Sequence, residues 1–225
     1  MANKILNTPG GAGQVPAGNV IVGNGYTGNL STFNGKLFVF DFENTPEPVD
    51  PLNPLNLPIN TIRVKFKSGY TPTMGDTQTL VDDNENIWDI YKSSNDWTSL
   101  FAACESLLEV LGGNTTNVTS MSSLFAQCDS LTTLALFDTS NVTNAMFFCT
   151  LCYSLTNIPL YNTSNMTHIN RMFALCYNVE HGALALYRQA SSQTSVPEHI
   201  DAFWECGRDT QTGAAELAQI PSDWK

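Results

Sequence analysis

Four groups of residues have types and spacings that chemistry could use. Cys149-Thr150-Leu151-Cys152 is a C-x-x-C, the spacing of a redox dithiol or of half a zinc site. Asp82-Asp83-Asn84-Glu85-Asn86 opens like a calcium loop, with oxygen ligands at alternate positions. Gly23-Asn24-Gly25-Tyr26-Thr27-Gly28 is a G-x-G-x-x-G, the pattern that lets backbone amides approach a pyrophosphate. His168, His181 and His199 are the side chains able to exchange a proton near neutral pH.

Each group lacks a part that its chemistry requires. Zinc needs two more ligands, and dithiol redox work needs an exposed thiolate. Cys152 instead belongs to a repeating column, and Cys149 stands where neighbouring repeats carry Phe, so both are expected to be buried free thiols. In the acidic loop, Ile87 replaces the glycine of the sharp turn and Ser93 replaces the bidentate glutamate. An exposed acidic turn is the expectation there, with a weak cation site as the alternative. The glycine pattern follows the apolar Val20-Ile21-Val22, but residues 29–35 lack helical periodicity and Asn34-Gly35 signals a turn. A glycine-rich loop is therefore expected. Residues 10–18 are also glycine-rich, with no lysine to serve a P-loop. The histidines have no H-E-x-x-H or G-x-S-x-G around them and read as surface side chains. No catalytic, cofactor-binding or metal-binding residue is assigned, no cofactor is expected, and the chain is read as non-enzymatic.

What positions these residues is a repeat. Cys104, Cys128, Cys152 and Cys176 are each 24 residues apart, and Leu107, Leu131, Leu155 and Val179 follow them by three. Asn117, Asn141 and Asn165 keep the same step, followed by Val118, Val142 or Met166 and then Thr119, Thr143 or Thr167. Leu100, Leu124, Phe148 and Met172 form another column, as do Phe101, Phe125 and Phe173, where Cys149 interrupts. Leu131-x-x-Leu134-x-Leu136 followed by Asn141 approximates the L-x-x-L-x-L…N pattern of leucine-rich repeats. The spacing predicts parallel strands at residues 109–112, 133–136 and 157–160. Leu134 and Leu136 should point inward, Thr133 and Ala135 outward. The Asn column should bond the backbone of its own loop. Met121, Leu124, Phe125 and Cys128 fall at helical spacing, which predicts a helix over 121–127 capped by Thr119 or Ser120.

The phrases Phe137-Asp138-Thr139-Ser140-Asn141-Val142-Thr143 and Met121-Ser122-Ser123-Leu124-Phe125-Ala126-Gln127-Cys128-Asp129-Ser130-Leu131 resemble the repeat of BspA-like leucine-rich-repeat surface proteins, F-D-T-S-N-V-T-x-M-x-x-M-F-x-x-C-x-S-L. Leu124 stands where Met is usual, and residues 161–176 are a looser copy. The resemblance covers about residues 97–180. It implies a leucine-rich fold and adhesion at bacterial surfaces or in phage proteins, and it carries no catalytic residues.

The fold class expected is an α/β repeat solenoid of about three to four 24-residue turns, with a β-rich N-terminal region and a short helical C-terminal cap. Residues 1–44 read as a Gly/Asn-rich arm with strands at 20–22 and 36–42, for docking or oligomerisation; 45–58, with prolines at 46, 48, 51, 54 and 58, as a linker. Residues 59–96 read as a β-hairpin cap in which 78–81 pairs with 60–67, and 97–181 as the solenoid. Residues 182–225 read as a helical cap with helices near 183–190, 198–205 and 212–219, plugged by Phe203 and Trp204.

Net charge is −11, with ten Lys and Arg and none between Lys92 and Arg171, so a polyanion would be repelled and nucleic acid is excluded as a partner. No apolar run reaches 18 residues, and no membrane insertion is expected. Met1 to Pro9 contains no apolar core of a secretory signal. The charged fraction is only 14%, so neutral polar side chains must cover the surface. Asn29, Asn114, Asn117, Asn141, Asn162 and Asn165 satisfy N-x-[ST], where turn chemistry already accounts for most of them. The low charge and the resemblance favour external display, as a phage tail, fibre or capsid-decorating component or alternatively a bacterial adhesin; the missing signal favours an intracellular scaffold, which with an enzyme whose site lies outside the repeats ranks lower. The candidate recognition face is Glu109, Thr133, Ala135, Asn157 and Tyr161, for a protein or glycan ligand, with assembly through residues 1–44.

Overall fold

The computed structural model describes residues 50–225 and the backbone of two shorter stretches, and it divides into units Met1–Val49 and Asp50–Lys225. In the first unit, β1 (Asn19–Val22) and β2 (Tyr26–Asn29) pair antiparallel, with Val22 opposite Tyr26. The second half of the glycine pattern is thus a strand returning along β1, whereas a dinucleotide site needs a helix there. The strand read at 36–42 and the first two linker prolines lie outside the described residues.

The second unit opens with a packed segment. The Asn53 amide group donates to Leu57 O and its Oδ1 accepts from Leu57 N, closing a turn that buries Leu57. A mixed sheet follows, built from β3 (Thr61–Phe66), β4 (Thr77–Asp82), β5 (Ile87–Tyr91), β6 (Leu107–Asn114) and β7 (Thr133–Leu134), in the order β4-β5-β3-β6-β7. Strand β3 alternates as its sequence dictates: Ile62, Val64 and Phe66 are buried, while Arg63 grips Asp89 with two bonds of 2.7 and 2.8 Å. The expected pairing of 78–81 with 60–67 is corrected, because β5 lies between β4 and β3. The acidic loop is the reason. Asp82 Oδ1 accepts the amides of Asn84 and Glu85, and Asn86 turns at φ 52°, which sends the chain straight back as β5.

The α/β repeat solenoid expected from the sequence is overturned. The described residues of this unit form one mixed, open five-stranded sheet with two short helices, and the repeat region contains no helix. Of the three predicted parallel strands, β6 is antiparallel to β3 and parallel to β7 over only two residue pairs, and 157–160 contributes a single bridge from Asn157 to His181. What the period produces is a register of isolated parallel bridges, Asp96 to Ser120, Ser120 to Asn144 and Asn144 to His168, with a last step to Glu198.

The predicted helix fails for a specific reason. Ser123 and Gln127 sit at φ 55° and 60°, as do Ser99 and Ala103, Phe147 and Leu151, and Arg171 and Leu175 at 54–63°. A left-handed residue every fourth position cannot belong to a right-handed helix. Amides instead alternate. Leu124, Ala126 and Cys128 donate three residues back, to Met121, Ser123 and Phe125. Ser123, Phe125 and Gln127 donate across, to Met146, Phe148 and Thr150 of the next segment. Each non-glycine left-handed residue costs about 1–2 kcal/mol, and the cross-segment bonds offset it. Met121, Leu124, Phe125 and Cys128 are all buried, so the apolar spacing is satisfied by successive turns.

The core between segments is a row of rings. Phe101 lies 5.5 Å from Phe125, Phe125 is 5.4 Å from Phe148, and Phe148 is 5.8 Å from Phe173. Phe148 comes from the Leu column and fills the space that Cys149 leaves in the Phe column. Within this segment the ring comes from the first position instead of the second, beside a Cys that is smaller than the Leu of the neighbouring segment.

Helices α1 (Ala183–Ser191) and α2 (Gln211–Gln219) close the C-terminal side, and the Thr210 side chain caps α2 through Gly213 N. The helix read at 198–205 is another turn segment, with Asp201 and Glu205 left-handed. Phe203 is fully buried, but Trp204 is 41% exposed; the covering indole is Trp224, stacked on His199 at 3.9 Å and edge-on to Tyr187 at 5.1 Å.

Candidate recognition surface

The sequence-derived face is only partly assembled. Glu109 and Thr133 are register partners across β6 and β7; Thr133 is exposed, and Glu109 is half-buried with Lys65 at 3.8 Å. Ala135 is half-buried, and Asn157 is exposed with its amide group on the Thr156 hydroxyl. Tyr161 does not belong to the face. It is completely buried, its ring 5.0 Å from Phe137 and its hydroxyl donating 2.9 Å to Ala135 O. Tyr161 follows Phe137 by one period, so the repeat itself signalled an inward position. Leu136 is corrected in the other direction. Strand β7 ends at Leu134, alternation ends with it, and Leu136 is 40% exposed; Leu160, one period later, is 53% exposed.

The repeat columns are structural. Leu107, Leu131 and Leu155 are fully buried, and Cys104, Cys128, Cys152 and Cys176 are buried and unbridged, as are Cys149 and Cys206. Burial pushes the Cys128, Cys149, Cys176 and Cys206 thiols up. Two influences oppose one another at Cys152, where burial favours the thiol and the neighbouring Cys149 and Cys176 thiols favour a thiolate. Its Sγ lies 3.0 Å from Phe125 O, where an anion would be repelled and a thiol can donate, so the proton stays. The C-x-x-C is therefore part of a thiol ladder. Among the described residues, no group of three or more His, Cys, Asp or Glu is placed to hold a metal ion.

The asparagine column acts between segments, where bonds within its own loop had been expected. Asn141 Nδ2 donates to Thr116 O at 2.7 Å and Asn165 Nδ2 to Ser140 O at 2.6 Å. Thr143 and Thr167 hydroxyls donate to Thr119 O and Thr143 O, and Thr132 and Thr156 form a second such ladder onto Leu108 O and Thr132 O. Asn117 stays exposed. The histidines lie beside carboxylates, His168 3.8 Å from Glu198, His181 3.6 Å from Glu216 and His199 3.6 Å from Asp223.

A second surface, missed by sequence reasoning, follows the cysteines by one residue: Glu105, Asp129, Tyr153 and Tyr177. Its legible signal was simply that this column holds two acids and then two aromatics. Tyr153 and Tyr177 stack at 5.4 Å with rings 22° apart. Main-chain ties fix the row, with Ser154 Oγ donating to Asp129 O and Asn178 Nδ2 to Tyr153 O. On the far side of Tyr177, the Arg208 guanidinium carbon sits 3.9 Å above the ring, and that guanidinium also pairs with Glu205 and Asp209. On the near side, Tyr153, Asp129 and Glu105 border a shallow groove of about 210 Å³ whose remaining walls are Ala103, Gln127 and Leu151. Burial, Tyr177 and Asp129 push the Tyr153 phenol up, so it is neutral at physiological pH.

No curated protein and no solved structure matches the chain. A family model described as "Mycoplasma protein of unknown function, DUF285" matches residues 76–196, which take in β4 to α1, the thiol ladder, the threonine ladders and the groove. That match spans more than half of the sequence, and the chain belongs to the DUF285 family.

Proposed function

We propose that the protein is a non-enzymatic recognition component displayed outside the cell, on a phage particle as a tail, fibre or capsid-decorating part, binding a protein or glycan of a host surface. The observation that supports this most is the pair of threonine ladders. Each hydroxyl is spent on a neighbouring segment's carbonyl, which fixes the exposed Thr and Asn side chains at regular intervals over a buried core. A surface fixed in this way loses little conformational entropy on binding. A second reading, a bacterial cell-surface adhesin, uses the same surface. Attachment through residues 1–44 belongs to the same proposal; their deletion should abolish assembly by light scattering while the rest stays folded. The broader test is accessibility. Antibodies to the purified protein should label intact particles or intact producing cells, and labelling that appears only after lysis would overturn external display.

A further inference from the structure

The row of Glu105, Asp129, Tyr153, Tyr177 and Arg208 is asymmetric. At one end a tyrosine face carries a guanidinium held by two carboxylates, Glu205 and Asp209. At the other end Tyr153, Asp129 and Glu105 border an open groove, and among the described rings Tyr153 stacks on Tyr177 alone. Tyr153 is 37% exposed, and both acids are exposed. The chain has no lysine or arginine between Lys92 and Arg171, so the segments that build the groove cannot supply the cation themselves.

We propose that this groove receives the guanidinium of an arginine presented by a protein partner. The ring face of Tyr153 offers the negative quadrupole that attracts a weakly hydrated, planar cation. Asp129 and Glu105 offer acceptors for its N–H groups, as Glu205 and Asp209 do for Arg208. The groove's size agrees. At about 210 Å³ it is smaller than the roughly 300–1,000 Å³ of small-molecule pockets, and it suits one side-chain head group. The net charge of −11 steers a basic partner toward it. This inference rests on the recognition reading and names the partner chemistry of that surface.

The test is calorimetric titration of the full chain with a capped tetra-arginine peptide at low salt, against a capped tetra-citrulline peptide of matched shape. Saturable binding of the arginine peptide alone is expected. Asp129→Asn with Glu105→Gln should weaken it about twofold to thirtyfold, the range for two exposed ion pairs. Tyr153→Ala should weaken it about fivefold and Tyr153→Phe little, because the ring face is what binds. A control pair, Asp83→Asn with Glu180→Gln, removes the same charge elsewhere and should change affinity less than twofold. Equal losses in the two charge-matched pairs would show diffuse attraction and overturn the groove as the site. Binding of calcium with no peptide binding would replace the arginine by a metal ion and likewise overturn it. Intact-particle labelling alongside a failed titration would leave external recognition standing and remove only this inference.

Discussion

Gln127→Gly gives the sharpest test of how the repeat region is built, because two architectures demand opposite signs. Gln127 is exposed and left-handed at φ 60°. An L-residue there carries about 1–2 kcal/mol of strain, which glycine removes. Glycine also costs roughly 0.5–1 kcal/mol in extra unfolded-state entropy. The net expectation is a stabilisation of about 0.5 kcal/mol, with Gln127→Val losing at least about 1 kcal/mol because a β-branched side chain fits this conformation worst. In the helix that the apolar spacing suggests, the same glycine would lose close to 1 kcal/mol. The two outcomes therefore differ by about 1.5 kcal/mol, or roughly 3–6 °C in melting midpoint for a chain of this size. Urea unfolding followed by tryptophan fluorescence resolves that difference. A glycine variant less stable than wild type by 0.5 kcal/mol or more would refute the left-handed turn at Gln127.

Leu131→Ala should lower stability by roughly 2–5 kcal/mol, since Leu131 is fully buried; an unchanged denaturation midpoint would remove it from the core. Tyr161→Phe should cost about 1 kcal/mol by leaving the half-buried Ala135 carbonyl without its hydroxyl partner, whereas a recognition-face tyrosine would tolerate the change. Thiol titration of native protein should be slow for all six cysteines and complete in denaturant without reductant, and fast native labelling would contradict their burial. Asp76 and Asp96 sit below the usual carboxylate range, Asp76 through the Ser93 hydroxyl and amide and Asp96 through the Thr98 hydroxyl and amide. A depressed folded pKa contributes stability that is complete above the unfolded value near about 4 and is lost as pH falls through the folded one. The contribution of these two carboxylates should thus be constant from pH 7 to 5 and decline below 4, so that the acid loss of stability is less steep in the Asp76→Asn variant.

The period, the buried columns and the reduced cysteines were legible because a 24-residue step repeats identical environments, and Leu107, Leu131 and Leu155 must then share one. The backbone conformation was not. Buried positions at 121, 124, 125 and 128 suit a helix and a chain of turns equally, and left-handed Ser123 and Gln127 are not residues that advertise positive φ. The open sheet was half legible: β3 announced itself by alternation, but the insertion of β5 beside it depended on Asp82 closing a tight turn. Of the recognition face, Thr133 and Asn157 lie at the surface as read. Tyr161 was placed on the face against the repeat's own pairing of Tyr161 with Phe137. The tyrosine–acid row went unseen because each segment contributes one residue to it, and no local motif marks it.

The pairing of Phe148 with Cys149 bears on how such a segment can diverge. Restoring Leu at 148 alone would empty space beside Phe125 and Phe173, at a cost of a few kcal/mol. Restoring Phe at 149 alone would crowd a site already filled, at roughly 1–3 kcal/mol. Both changes together recover the neighbouring segments' arrangement and should cost far less than the sum. The pair is therefore epistatic in sign: each reversion is harmful alone and tolerated only with the other. A variant series from the regular Leu–Phe order to the present pair should therefore pass through two less stable single variants.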